Sequence, residues 1–206
     1  MRSPDSRPYR MRRRAEQVDQ TRQRIVEATV ELHSSVGPAA TTIAAIADRA
    51  GVTRLTVYRH FPDQAALFGA CSAHWASRQQ LPDPGAWSHI GDPAARLRAG
   101  LADLYRFYRS GAGMLTHIHR DIAALPDEHQ QALRDGDTLF RDVLTAPFGG
   151  TGHEHRRLRA AAGHATSFWT WRSLCLDHGL TDHEAAEAMT GMVLAITPPL
   201  PAQPAQ

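Results

Sequence analysis

Residues 42–61 read Thr42-Ile43-Ala44-Ala45-Ile46-Ala47-Asp48-Arg49-Ala50-Gly51-Val52-Thr53-Arg54-Leu55-Thr56-Val57-Tyr58-Arg59-His60-Phe61, and this stretch decides the fold. Ile43, Ile46, Ala47 and Ala50 recur at spacings of three and four, the inner face of a short helix over 43–50. Ala47 and Ala50 are small enough for a second helix to cross closely. Gly51 permits a positive φ at the helix C-terminus, Val52 fills the angle, and Thr53 is a natural N-cap for a second helix. That helix, 54–61, sets Val57 and Phe61 four apart for the core and turns Arg54, Leu55, Thr56, Tyr58 and Arg59 outward. Two short helices joined by such a turn form a helix-turn-helix.

Upstream, Ile25, Ala28, Thr29, Leu32 and Val36 place an amphipathic helix over 18–36, stopped by Gly37 and Pro38. Residues 1–14 lack this periodicity, include Pro4 and Pro8, and end on Arg12, Arg13 and Arg14. They read as a mobile basic arm, and Met11 is an alternative start. Downstream, a helix over 63–80 is followed by Pro82, Pro84, Gly85, Gly91 and Pro93, the marks of a linker. Helical patterns then cover 94–109, 114–124 and 127–144. A long helix is expected over 155–176, with Leu158, Ala161, Ala165, Phe168, Arg172 and Leu176 on one stripe. The last covers 182–196, opened by a Thr181-x-x-Glu184 capping box. No alternating strand pattern and no internal repeat competes, so the class is all-α. The expected division is a basic flexible arm at 1–16, a three-helix domain with the helix-turn-helix at 17–62, a helical domain at 63–197 and a disordered tail at 198–206.

Composition narrows the chemistry. Across 206 residues, 42% hydrophobic and 21% charged side chains describe a folded globular chain. No apolar run approaches the roughly 18 residues of a membrane span, and the N-terminus lacks a signal peptide's apolar core. A cytoplasmic protein with no membrane partner is expected. Cys71 and Cys175 are too few and too distant for a disulfide framework or a zinc knuckle. Buried thiols are expected there, with a redox trigger at Cys71 as the alternative. Residues 1–60 hold 11 Arg against 6 acidic groups, net +5, while 61–206 hold 12 against 15, net −3. All 23 basic residues are Arg. The basic end, with Arg, Thr and Tyr outward on 54–61, suits a DNA groove. A small helical hairpin in a generic bundle would show the same spacing.

Residues 21–68 contain Thr-Arg, Ile-Val-Glu-Ala, Gly-Pro, Thr-Thr-Ile, Ile-Ala, Ala-Gly-Val-Thr, Val-Tyr-Arg-His-Phe-Pro-Asp and Leu-Phe in order. This segment resembles the DNA-binding domain of the TetR (tetracycline-repressor-like) family. The resemblance implies a ligand-responsive repressor and no enzyme: a three-helix DNA-binding domain, a helical C-terminal domain that binds a small-molecule inducer, and a homodimer built by the last two long helices, 155–176 and 182–196. The partner it implies is a double-stranded, palindromic operator. Carried onto this chain, it assigns phosphate contacts to Thr42, Thr56, Tyr58 and His60, base reading to Arg54 and Leu55, and the groove rim to Thr53 and Arg59. Gln64 stands where similar sequences often have Lys, and Leu55 where a small residue is common, so the operator sequence does not transfer from relatives.

Other candidates are weaker. The arm with Arg10, Arg12, Arg13 and Arg14 fits phosphate tracking or a solvated tail equally well. His117 with His119, and His153 with His155, raise a metal site or a metal-assisted hydrolase using Asp121, but two residues apart on a helix point to different sides, and neither a nucleophile nor a phosphate-binding loop accompanies them. No metal and no cofactor is expected. For a ligand cavity the candidates are Phe107, Met114, His117, Arg120, Phe168, Trp169 and Arg172. Met189, Gly191, Met192, Val193 and Ile196 are candidate dimer-face residues, with intramolecular packing as the alternative. A ligand-independent DNA binder is the remaining rival.

Overall fold

The structure, a computed structural model, describes residues 6–196; the tail at 198–206 and residues 1–5 of the arm lie outside them. Every regular element among the described residues is helical. The helices are α1 (Ser6–Ser35), α2 (Ile43–Ala50), α3 (Arg54–His60), α4 (Gln64–Ala76), α5 (Pro84–Ser88), α6 (Pro93–Ser110), α7 (Ala112–Arg120), α8 (Asp127–Thr145), α9 (Gly152–Ala165), α10 (Phe168–Arg172) and α11 (Asp182–Ile196). Among the described residues they form two compact units, residues 6–78 with 116–129, and residues 79–115 with 130–196. By its packing, α4 lies on α1 through Leu67 and Cys71 and falls in the N-terminal unit, as does the later segment 116–129.

In the N-terminal unit, Ile25, Val26 and Ala28 of α1 meet Ile46, Ala47 and Ala50 of α2 and Val57 of α3, with Phe61 closing the cluster. The stripe read from the sequence is this core, except that α1 ends at Ser35 and leaves Val36 exposed in the turn. The helix also starts earlier than expected. Residues 6–16, expected as a mobile arm, continue α1, and an exposed Arg12–Glu16 pair at 3.8 Å lies one turn apart on it.

The second unit is organised by α6, whose Leu97, Leu101, Leu104, Tyr105 and Tyr108 are buried along one face. The expected linker holds α5. Pro84 sits in its first turn, where no N–H is needed, and Trp87 is buried with its indole N–H donating to Asp103 at 3.0 Å. Nor is 155–176 one helix. It breaks after α9 at Thr166, where Tyr105 and Tyr108 hydroxyls donate to the carbonyls of Ala165 and Thr166 at 2.8 and 2.7 Å. Ser167 then caps α10 and a π-helical turn follows at Ser173–Asp177. The tyrosines satisfy carbonyls that an unbroken helix would pair internally, and this lets Phe168 and Trp171 turn into the core. The capping box forms as read, Thr181 N–H donating to Glu184 at 2.8 Å and Glu184 N–H to Thr181 at 3.2 Å.

Gly100 of α6 is a tight point, because a Cβ there would collide with Leu144 and touch the Trp87 ring at 3.3 Å. Gly100→Ala is expected to destabilise the second unit by about 1–3 kcal/mol through overpacking, read as a lower urea midpoint at unchanged slope.

Candidate nucleic-acid interface

The α2–α3 pair is held by its turn. Gly51 adopts φ 65° and ψ 43°, and its N–H and that of Val52 return to Ala47, Val52 at 2.9 Å. Thr53 Oγ1 accepts the Thr56 N–H at 3.2 Å, and Thr42 Oγ1 accepts that of Ala45 at 3.1 Å, so both helices start on a threonine cap. Burying Val57 and Phe61, at 0% and 3% exposed, fixes the rotation of α3. Arg54, Leu55, Tyr58 and Arg59 are consequently exposed together, with Thr56 and His60 half-buried beside them. Leu55 stands 67% exposed on this face. The Thr53 and Thr56 hydroxyls bond to each other at 2.9 Å, which consumes one of their two protons and leaves the other to donate outward. All eight residues named from the sequence thus lie on α3 or on the caps of α2 and α3.

This unit also holds a contact that the sequence does not announce. Gly37, at φ 94° and ψ 162°, turns the chain out of α1, and Arg120 and Asp121 close over that turn. The Arg120 guanidinium donates to the Val36 carbonyl at 2.9 Å, and Asp121 accepts the Ala39 N–H at 3.1 Å. The two side chains also pair with each other at 2.7 and 2.9 Å, and the Arg120 guanidinium holds the Asp121 carboxyl below the usual carboxylate range. Beneath them His33 is buried against Phe68, with ring centroids 5.3 Å apart, and Phe68 meets His129 edge-on at 4.5 Å. Burial pushes His33 down to about 4 against the opposing pull of Asp121, and burial alone lowers His119 to about 4. The pattern of one arginine and one aspartate gives no sign of a partner more than 80 positions away.

The remaining candidates separate. His117 and Arg120 fall in the N-terminal unit, and Arg120 spends its donors on the turn, so it is no anchor in the second unit. Phe168 is packed between Tyr108 and Trp171, each ring 5.5 Å away, and is core. Phe107 is half-buried, Met114 is buried, Trp169 is 45% exposed, and Arg172 pairs with Asp177 at 3.1 Å. Among the described residues no group of three or more His, Cys, Asp or Glu is placed to hold a metal ion. Cys71 donates to the Val26 carbonyl at 3.8 Å, and burial pushes its thiol up to about 12, which removes the thiolate a redox trigger requires. Of the proposed dimer face, Met189 and Val193 are buried inside the second unit, whereas Gly191 and Met192 are exposed. No described helix is long and apolar enough to cross a membrane.

Comparison with known proteins points to the same segment. Residues 25–71 match the model of bacterial regulatory proteins, tetR family. The chain is 39% identical over 57 residues to the HTH-type transcriptional regulator AcrR of Shigella flexneri, covering 28% of this chain and 26% of that one. It is 43% identical over 60 residues to the HTH-type transcriptional regulator TtgR of Pseudomonas putida, 29% of each. The match therefore spans under a third of these relatives. Across most of the chain the fold is similar to solved structures at low identity. AibR, solved in complex with isovaleryl coenzyme A and operator DNA, gives a TM-score of 0.60 at 20% identity over 84% of this chain and 97% of that one. NalD, the secondary repressor of the MexAB-OprM multidrug efflux pump in Pseudomonas aeruginosa, gives 0.58 at 21% identity over 87% and 96%.

Proposed function

From the premise that residues 25–71 are an N-terminal domain of the tetR family of bacterial regulatory proteins, we propose that this protein is a sequence-specific transcriptional regulator, a dimeric repressor that a small-molecule ligand releases from its operator. The observation that carries the reading is the rotation of α3: burial of Val57 and Phe61 commits Arg54, Leu55, Thr56, Tyr58 and Arg59 to one outward face. On this reading Arg54 reads guanine bidentately and Leu55 meets a thymine methyl, with Thr42, Tyr58 and His60 on phosphates and Thr53 and Arg59 at the rim.

The second unit is the proposed sensor. Phe107, Met114, Trp169 and Arg172 remain its ligand candidates and favour an apolar or aromatic molecule with one polar group. The dimer reading now rests on α11, where Ala188, Gly191, Met192 and Ala195 form an exposed, uncharged stripe at helical spacing. With the outward face of α9 it suits a two-fold four-helix contact. Two-fold symmetry is what sets paired reading helices about 34–36 Å apart, one DNA turn. A cytoplasmic location follows from this role.

A ligand bound in the second unit acts on the reading helix only by the difference in its affinity for the DNA-bound and released states.

The test is capture of genomic DNA fragments by the purified chain at about physiological salt, where non-specific contacts weaken. A palindromic enriched site is expected. Capture without base preference, at a steep salt dependence, would instead mark a ligand-independent DNA binder.

A further inference from the structure

We propose that α1 is a second DNA-contacting element, whose face carrying Arg14, Gln17 and Arg24 grips the phosphate backbone beside the groove that α3 enters. The inference rests on the operator reading and extends it to residues outside the helix-turn-helix.

Positions 14, 17 and 24 fall at spacings of three and seven, on one side of a straight helix. They line an open cleft of about 980 Å³ whose other wall is Thr56, Arg59 and His60 of α3. Arg24 reaches the helix-turn-helix itself, its guanidinium lying 3.8 Å from where a Cβ on Gly51 would sit. From Arg14 to Arg24 the helix rises about 15 Å, against one phosphate per about 3.4 Å of axis on each DNA strand. The face is long enough for several phosphates.

The other arginine side chains described in the N-terminal unit are occupied. Arg12 has Glu16, Arg49 has Glu31, Arg78 has Glu27, and Arg120 has Asp121. Arg13 lies over the Tyr9 ring at 5.8 Å and Arg22 over Phe61 at 4.8 Å. Arg14, Arg24, Arg54 and Arg59 make no ion pair or hydrogen bond among the described residues. These four lie on α3 or on the walls of the cleft. Gathering unpaired guanidinium groups in one place raises self-repulsion, which a polyanion relieves, and each planar fork can hold a phosphate by two hydrogen bonds. Gln17 adds a neutral donor of the kind that phosphate contacts commonly use. Asp19, also at the cleft, is the carboxylate among its lining residues, so the net charge facing the cleft stays positive.

The test measures affinity against salt for the full chain on two duplexes, the one most enriched from genomic fragments and one of mixed sequence. In the double variant Arg14→Ala, Arg24→Ala the slope of log affinity against log salt is expected to become shallower by about 0.9 for each phosphate no longer neutralised. Both duplexes weaken together and the preference between them is kept, because phosphate contacts carry no sequence information. Gln17→Glu, an exposed change, is expected to weaken both duplexes at low salt and to approach wild type at high salt. Hydroxyl-radical footprinting should show that protection disappears at the flanks of the site and is kept at its centre. Unchanged slopes and flanks, with the preference for the enriched duplex intact, would overturn the role of α1 and leave the operator reading standing. A wild-type chain without preference would overturn the operator reading instead, while the slopes still report on α1.

Discussion

Gly37→Ala is expected to destabilise the N-terminal unit by about 2–6 kcal/mol, the largest effect expected of any single added methyl. Gly37 sits at φ 94° and ψ 162°, a region that only glycine occupies at low strain, which sets a penalty of about 1–3 kcal/mol. The new Cβ would also fall onto the Arg120 guanidinium and the Asp121 carboxylate. Moving them away removes the bonds to Val36 and Ala39 and strands a carboxylate whose side chain is only 7% exposed, for about 1–3 kcal/mol more. The measurement is chemical unfolding followed in both units. A loss confined to the N-terminal unit, accompanied by weaker DNA binding, is the expected result; Asp121→Asn, which keeps the shape and the acceptor to Ala39, should lose much less.

Acidification is expected to undo the same unit. His33 is buried and neutral, with its value lowered from 6.5 to about 4, and His119 is lowered to about 4 by the same cause. Between those limits the unfolded chain binds more protons than the folded one, so stability is full above pH 6.5, falls as the pH drops toward 4, and loses nothing further from these groups below that. For His33 the interval corresponds to about 3 kcal/mol at 1.36 kcal/mol per unit, a large share of a domain's total of about 5–15 kcal/mol. Proton uptake of about two on unfolding near pH 5 checks the sign and the stoichiometry. In His33→Leu the uptake should fall by about one; the same uptake in variant and parent would remove His33 from the account.

The helix-turn-helix is legible in the sequence because each of its signals is local. Thr42, Gly51 and Thr53 act on residues within four positions, and the Ile46, Ala47 and Val57 spacing states which side goes inward. The features that are not legible depend on distant partners. The break after Ala165 needs two tyrosine hydroxyls from α6, some 60 residues earlier, and nothing in the apolar stripe of 155–176 announces it. Likewise the 82–93 stretch, rich in proline and glycine, reads as a linker until Trp87 finds Asp103. Residues 6–16 read as an arm because they lack an apolar face, although a helix that continues a packed one needs none to begin. In the second unit, side-chain size does not separate core from cavity, and Phe168, a ligand candidate by size, is core.

The most direct test of the central claim compares base preferences of the wild-type chain and Arg54→Ala, selected in parallel from random duplex and sequenced. The expected result is a two-fold site for the wild type, with the variant losing discrimination at one base pair in each half, a change of about 1–3 kcal/mol, and keeping it elsewhere. An identical profile for the two proteins would contradict the assignment of α3 as the reading helix.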